Sequence, residues 1–161
     1  MKVRDFTICS NTRLNDRNHL FKVTPVDNSP LPEMFPGQFV QILVPNSPHV
    51  FLRRPISINF VDEKQHEIWL LVQRVGEGTD KIATLSAGDT LNMIFPLGNS
   101  FTLPTTKGSF LLIGGGVGTA PLLFLGKRMR EKGFEPEFLL GGRSEKDILQ
   151  RDDFEPLGTL Y

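Results

Sequence analysis

The residues with most chemistry to offer in this sequence are glycines, one arginine and a few hydroxyls, spaced for holding phosphate rather than for moving protons. Arg54-Pro55-Ile56-Ser57 sets a planar guanidinium, able to fork onto phosphate oxygens, three positions ahead of a serine whose hydroxyl or backbone N–H can donate to a bound ring. Taken alone, this segment also reads as an edge strand in which Pro55 gives up a ladder donor. Val75-Gly76-Glu77-Gly78-Thr79 joins a strand to a short helix. Its glycines let backbone approach a ligand, and free N–H groups at a helix start favour an anion. Taken alone it is a tight turn with Thr79 as N-cap. A helix terminus contributes only ~0.3–1 kcal/mol at an exposed site, so a pyrophosphate needs a charged partner, and Arg54 supplies one. The most specific feature is Gly114-Gly115-Gly116-Val117-Gly118-Thr119-Ala120-Pro121. Strand, glycine run and helix N-terminus in that order make a phosphate cradle. It departs from the dinucleotide fingerprint, which needs glycine where Thr119 stands, and it lacks the lysine of a P-loop. Close strand–helix packing is the other reason for such glycines. Phe95-Pro96-Leu97-Gly98-Asn99 reads as a turn.

Side-chain catalysis has little support. His19, His49 and His66 lie far apart in sequence, and nothing has a metal-ligand spacing. No serine sits in a nucleophile-elbow context, and Cys9 has no recognisable base. Redox chemistry needs neither when a cofactor supplies the reactivity.

The elements that must position these segments fall into two halves. Up to about residue 104, short alternating segments are separated by turn residues. Strands are expected at Phe6–Ser10, Leu20–Pro25, Gln38–Val44, Arg54–Val61, Glu67–Val75 and Thr90–Phe95, with a short helix over Thr79–Leu85. Such a set predicts a closed or nearly closed antiparallel barrel. From residue 109 the grammar changes to β-α-β-α. Phe110–Ile113 is a wholly apolar run, and Thr119–Lys132 is helical, with Leu122, Leu125 and Met129 on one face and Gly133 beyond its end. Lys127, Arg128, Arg130 and Lys132 sit where the helix dipole favours cations. Phe138–Leu140 is a second buried-strand run, Glu145–Phe154 is expected to be helical, and Leu160-Tyr161 opens a third strand. This is the start of a parallel sheet with helices on its faces. Two βα units cannot cover both faces of such a sheet. Either the chain is a fragment or a partner completes the sheet, and truncation is the expectation.

Composition excludes several classes. Hydrophobic residues make up 39% and charged residues 22%, with eighteen basic against eighteen acidic side chains. No net field draws in nucleic acid or an anionic membrane. One cysteine permits no internal disulfide and no cysteine-rich metal site. There is neither an apolar signal core nor an apolar run near ~18 residues. A cytoplasmic protein is expected.

In order, Pro36-Gly37-Gln38-Phe39, Arg54-Pro55-Ile56-Ser57, Gly76-x-Gly78-Thr79, Pro96-Leu97-Gly98 and Gly114-Gly115-Gly116-x-Gly118-Thr119-Ala120-Pro121 resemble the motifs of the ferredoxin–NADP reductase superfamily. Within it, the Arg-Pro-Ile-Ser variant and the compact barrel are most similar to the family of electron-transfer subunits of dihydroorotate dehydrogenase B. The resemblance covers essentially the whole chain. It implies an antiparallel FAD-binding barrel over residues 1–104 and the first part of a nicotinamide-nucleotide-binding α/β domain over residues 109–161. Arg54 would contact the FAD phosphate and Ser57 the isoalloxazine, with Pro55 and Ile56 shaping the wall. Leu71, Val72 and Gln73 would line the flavin through backbone groups. Gly78 and Thr79 would hold the pyrophosphate, and Gly114, Gly115, Gly116, Gly118 and Thr119 would receive NAD(H) or NADP(H). Two positions depart from the pattern. Ile56 stands where many relatives have a stacking tyrosine, and Phe95 replaces a glycine before Pro-Leu-Gly.

By the same resemblance, the protein is expected to pass electrons from a nicotinamide through FAD to a partner. That partner would be a dihydroorotate-oxidising flavoprotein subunit in a hetero-oligomer serving pyrimidine biosynthesis. The full-length family implies about a hundred further residues, including the four cysteines that a [2Fe–2S] cluster takes; those cysteines are not in this sequence. Reductase subunits of transhydrogenases, sulfhydrogenases or oxygenases, and a flavin-holding module without turnover, are the alternatives.

Overall fold

The computed structural model describes all 161 residues. Six strands, β1 (Lys2–Arg13), β2 (Asn18–Pro25), β3 (Phe39–Ile42), β4 (Arg54–Asp62), β5 (Glu67–Gln73) and β6 (Thr90–Leu97), close into an antiparallel barrel in the order β1-β2-β5-β4-β3-β6. The expected strands are all present, β1 being longer at both ends. Alternation decides which side chains fill the barrel. Phe6 and Ile8 of β1, Phe21 and Val23 of β2, and Ile68, Leu70 and Val72 of β5 all turn inward and are buried. Phe6 meets Phe95 edge-on at 4.8 Å between ring centroids. β5 reads as a nearly continuous apolar run because both its faces are covered: Leu71, on the outer face, packs with Ala120 and Leu149 of the second half.

The helix after β5, α1 (Glu77–Ala83), begins two residues earlier than expected. Gly76 is its N-cap and Thr79 lies inside the first turn. The reason is local: the Thr79 hydroxyl accepts the Val75 N–H at 2.9 Å and donates to Gly76 O at 3.0 Å. It therefore fastens the incoming turn from within the helix.

The second half is a three-stranded parallel sheet in the order β7 (Phe110–Gly115), β8 (Pro136–Gly141), β9 (Thr159–Leu160). β7 passes through a 3-10 turn, Gly116–Thr119, into α2 (Ala120–Glu131). Pro121 occupies the first turn of α2, and Gly133, at φ 81°, closes its far end. The Gly133 and Phe134 N–H groups bond Arg130 O and Met129 O, the pairing of a Schellman cap. Leu122, Leu125 and Met129 are buried as expected, but so are Leu123 and Phe124, because α2 lies between sheet and barrel. Phe124 packs into the barrel's own core. The basic residues of α2 are correspondingly engaged. Lys127 donates to Val61 O at 3.0 Å and stands over the Phe60 ring, and Arg128 pairs with Glu63 at 2.7 Å.

Two expectations for this half are corrected. Glu145–Phe154 is not one helix but a 3-10 turn, Glu145–Asp147, and a single helical turn, α3 (Arg151–Phe154). Gln150 interrupts it with a left-handed backbone at φ 57°. Its side chain is held by Asn59 of the barrel, and that tertiary bond overrides the local helical preference. Nor are the apolar runs of β7 and β8 buried on both faces. Leu111, Ile113 and Leu139 are 51%, 65% and 43% exposed, because α2 and the α3 segment pack on the barrel-facing side of the sheet.

Candidate functional site

The site lies where the ladder between β4 and β5 opens. β4 pairs with β3 along Arg54–Ser57, but its pairing with β5 begins only at Ile58↔Leu70. The start of β4 and the end of β5 therefore leave a cleft between them. The Ile58 N–H bonds Gln38 O on the β3 side. Strand alternation then turns the Ser57 N–H into the cleft, while Pro55 has no N–H to leave unpaired. A cavity of about 350 Å³ follows, walled by Pro55, Ile56 and Ser57 on one side and by Leu71 and Gln73 on the other. Val72 turns its side chain into the barrel core and presents only backbone. Val117, Gly118, Ala120 and Pro121 of the second half close the cavity.

At one end this cavity meets another of about 400 Å³, lined by Arg54, by Gly76 to Thr79 and by His49 to Leu52. Val75 and Thr79 border both. Arg54 lies across Gly78: a Cβ at position 78 would sit 2.8 Å from Arg54 Nε. The Arg54 side chain makes no hydrogen bond or ion pair within the protein, and its Nε is buried without a partner. A cation so placed is chemically incomplete without an acceptor. Gly78 serves the site by yielding space to Arg54, whereas Thr79 is 7% exposed and spends its hydroxyl on the turn.

At the other end lies a cavity of about 570 Å³ bordered by Gln73, Gly115, Gly116, Val117 and Gly141 to Arg143, with Arg17 and Asn18 across it. The glycine run divides by role. Gly114 is spent on packing, since a Cβ there would fall 2.8 Å from Leu122 Cδ1 and 3.1 Å from the Thr119 backbone. Thr119 is 2% exposed, its hydroxyl donating to Gly116 O at 2.8 Å. Gly118 borders open space, a Cβ at Gly115 would meet only Gly141 O at 3.8 Å, and Gly116 adopts φ 53°, a turn that a side chain resists. The bare backbone facing the cavities thus comes from Gly115, Gly116 and Gly118, with Gly114 and Thr119 behind the wall.

Several residues that hold these cavities together had no sequence signal. Asn15 donates to Lys146 O at 3.0 Å and to Asp147 Oδ1 at 3.3 Å, joining the β1–β2 turn to the second half. Its own Oδ1 accepts from the Arg17 and Asn18 N–H groups and from Asn18 Nδ2. That orientation leaves Asn18 Oδ1 buried and unpartnered beside the cavity. Asn59, fully buried, donates to Ala120 O at 2.9 Å and exchanges bonds with the Gln150 amide at 2.8 and 3.0 Å. These contacts hold the glycine turn against the barrel cleft. Only a pairing 91 residues apart creates the last of them, so no local pattern announces it.

The three cavities adjoin through shared lining residues, Val75 and Thr79 at one junction and Gln73 and Val117 at the other: Arg54 stands at one end, an unpaired strand edge walls the middle, and glycines line the other end with Arg17, Arg143 and Asp147. Together they offer an unpartnered guanidinium, unpaired main-chain groups and bare glycine backbone, a set suited to an anionic ligand. No group of three or more His, Cys, Asp or Glu side chains is placed to hold a metal.

No family model matches the chain. It is 39% identical over 132 residues to the electron transfer subunit of dihydroorotate dehydrogenase B (NAD(+)) from Listeria innocua, covering 80% of this chain and 51% of that protein. The corresponding subunit of Fusobacterium nucleatum is 31% identical over 163 residues, covering all of this chain and 62% of the relative. The chain thus spans about half to three-fifths of the length of the curated relatives it matches. Among solved structures, that of an NADH-dependent reduced ferredoxin-NADP oxidoreductase superposes with a TM-score of 0.82 at 28% identity, covering 96% of this chain and 55% of the other. The chain is a homologue of the dihydroorotate dehydrogenase B electron-transfer subunits and has a ferredoxin-reductase-like fold.

Proposed function

We propose that this chain holds FAD in the barrel cleft and receives a nicotinamide dinucleotide at the glycine turn, as part of an NAD(H)-linked electron-transfer protein. Arg54 carries the proposal: a cation laid across Gly78, without a protein partner, at the end of a groove whose wall is an unpaired strand edge. FAD, when bound, supplies the hydride-accepting and single-electron chemistry that these side chains lack.

The chain's own residues bind and orient. Arg54 neutralises the diphosphate, with the Gly76–Thr79 turn beside it. Ser57 and the backbone of Leu71 to Gln73 offer donors and acceptors to the ring, and Pro55 and Ile56 shape its wall. Gly115, Gly116 and Gly118 let a nucleotide approach main-chain N–H groups across the cleft. Residues 1–104 are the flavin-holding part and residues 109–161 the part that receives the nucleotide. Phe124 and the Asn59–Gln150 pair hold these parts at a set distance, and positioning of two rings is the contribution a protein makes to such a transfer.

The likeness to dihydroorotate dehydrogenase B subunits supports a dihydroorotate-oxidising flavoprotein as partner, in a hetero-oligomer of pyrimidine biosynthesis and in the cytoplasm. No helix here is long and apolar enough to cross a membrane. A [2Fe–2S] cluster takes four thiolates, and this chain has the single cysteine Cys9, so the residues present do not fit one.

The test is anaerobic reduction. Purified protein reconstituted with FAD is mixed with NADH, and with NADPH in parallel, and the flavin absorbance is followed. Bleaching supports electron entry from the nicotinamide. A flavin that binds and stays yellow reduces the function to flavin holding, and a protein that takes up no FAD overturns the proposal.

A further inference from the structure

We infer, resting on the nucleotide reading above, that Asn18 is a specificity-determining residue of the glycine-lined cavity. Its side-chain oxygen is the acceptor for a primary carboxamide, the substituent of a nicotinamide ring, and Gln73 beside it is the matching donor. Asn18 belongs to none of the sequence motifs; it opens β2 directly after the β1–β2 turn.

Hydrogen-bond chemistry fixes which way the Asn18 amide faces. The Arg17 and Asn18 main-chain N–H groups both donate to one Asn15 side-chain atom at 3.0 Å, so that atom is the oxygen. The Asn18 side-chain atom 2.9 Å from it must then be the donor, Nδ2. Asn15 cannot turn over, because its own Nδ2 is held by Lys146 O and Asp147 Oδ1. Asn18 Oδ1 is thereby directed away from the turn, without a partner, on a residue only 4% exposed. A buried acceptor left unmade is costly, and this one calls for a donor that the protein does not contain.

The surroundings select the donor. Asn18 stands opposite Gln73 in the β2–β5 ladder, and cross-strand neighbours carry their side chains on the same face. Both border the cavity of about 570 Å³ that Gly115 and Gly116 line. Phosphate oxygens only accept, so they suit the arginines and glycine N–H groups of this cavity and leave Asn18 unsatisfied. A carboxamide carries N–H donors and a carbonyl acceptor on one carbon, which matches an accepting oxygen with an amide donor at its side. Position agrees as well. Gln73 also borders the cavity walled by Ser57. A ring held there by its carboxamide lies at the junction of the two cavities, with its rotation fixed, as transfer to a second ring against Ser57 requires.

The experiment titrates the FAD-loaded protein by calorimetry with NAD+, with its acetylpyridine analogue and with ADP-ribose. The analogue keeps the carbonyl on the ring and has methyl in place of the amide nitrogen, whereas ADP-ribose lacks the ring altogether. The wild type should prefer NAD+ to the analogue by about tenfold or more. Asn18→Leu should remove that preference by weakening NAD+ alone, with ADP-ribose unchanged. Gln73→Leu should weaken NAD+ and the analogue by the same factor, because both carry the carbonyl. Flavin content and ADP-ribose affinity check that each variant is folded. The assignment is overturned if the wild type binds NAD+ and the analogue alike, or if Asn18→Leu keeps the preference. It is also overturned if Asn18→Leu lowers ADP-ribose affinity or flavin content as much as NAD+ affinity, which would make Asn18 structural only. A wild type that holds FAD and binds none of the three overturns the nucleotide reading itself, which is a distinguishable result.

Discussion

Arg54 and Gly78 form one unit: the arginine's Nε, Cδ and Cγ lie where a side chain at position 78 would stand, at 2.8, 3.1 and 3.3 Å from its Cβ. The glycine is therefore needed by the arginine, and through it by whatever anion the arginine holds. Gly78→Ala should displace the guanidinium and lower the flavin content of the purified protein without unfolding the barrel. Arg54→Ala should weaken FAD by ~10- to 100-fold, the range for one charge-assisted hydrogen bond. Flavin content and far-ultraviolet circular dichroism, measured together, check both; normal flavin content in either variant would refute the assignment.

The glycine turn should separate nucleotide entry from flavin binding. Gly116 has φ 53°, so Gly116→Val imposes strain on a β-branched residue and places methyl groups toward the open cavity. FAD should stay bound while reduction by NADH slows by at least about tenfold. Stopped-flow reduction of the reconstituted variant provides the readout, and loss of FAD instead would contradict two separate subsites.

Asn59 and Gln150 join barrel to sheet through a reciprocal amide pair at 2.8 and 3.0 Å. Asn59→Ala leaves Ala120 O and the Gln150 amide without these partners in a buried setting. The expected loss is about 1–3 kcal/mol. Hydrogen exchange should show it first in α2 and residues 145–157. Chemical denaturation with exchange detection tests this; uniform loss of protection throughout the barrel would count against it.

His19 predicts the sign of one pH effect. Burial, and then the charges of Arg74 and Arg13, hold its pKa below the ordinary 6.5. The unfolded chain therefore binds a proton that the folded chain resists, so this contribution is fully present above about 6.5 and is lost as pH falls toward the lowered folded value. His19→Gln should flatten the fall in melting temperature on acidification across that window. An unchanged slope in the variant would assign the effect elsewhere.

How much of this was legible beforehand depended on the range of the interaction. Period-two alternation and turn residues located every barrel strand, because inward and outward side chains of a strand differ in burial wherever the strand closes. The glycine run beside an apolar strand announced a strand–turn–helix cradle, because few other residues permit φ 53° at Gly116 and close packing at Gly114. Thr79 misled by one turn: a threonine before a helix is a cap signal, yet here its hydroxyl reaches back to Val75 and Gly76 from inside the helix.

The alternation up to residue 104 and the β-α-β-α grammar after it by themselves determined a barrel followed by a parallel sheet, and the segments Arg54 to Ser57, Gly76 to Thr79 and Gly114 to Thr119 marked the turns and strand ends from which the proposed site is drawn. Only the tertiary structure decided which members face the groove and which support it. Gly114 and Thr119 turned inward because α2 packs tightly on β7, and Gln150 broke an otherwise helical stretch because Asn59 holds its side chain. It also joined Arg54 to Gly78 across twenty-four positions of sequence, a contact set by barrel closure. Local spacing encodes local conformation, whereas the partner of a buried polar group is chosen by which strands and helices come together.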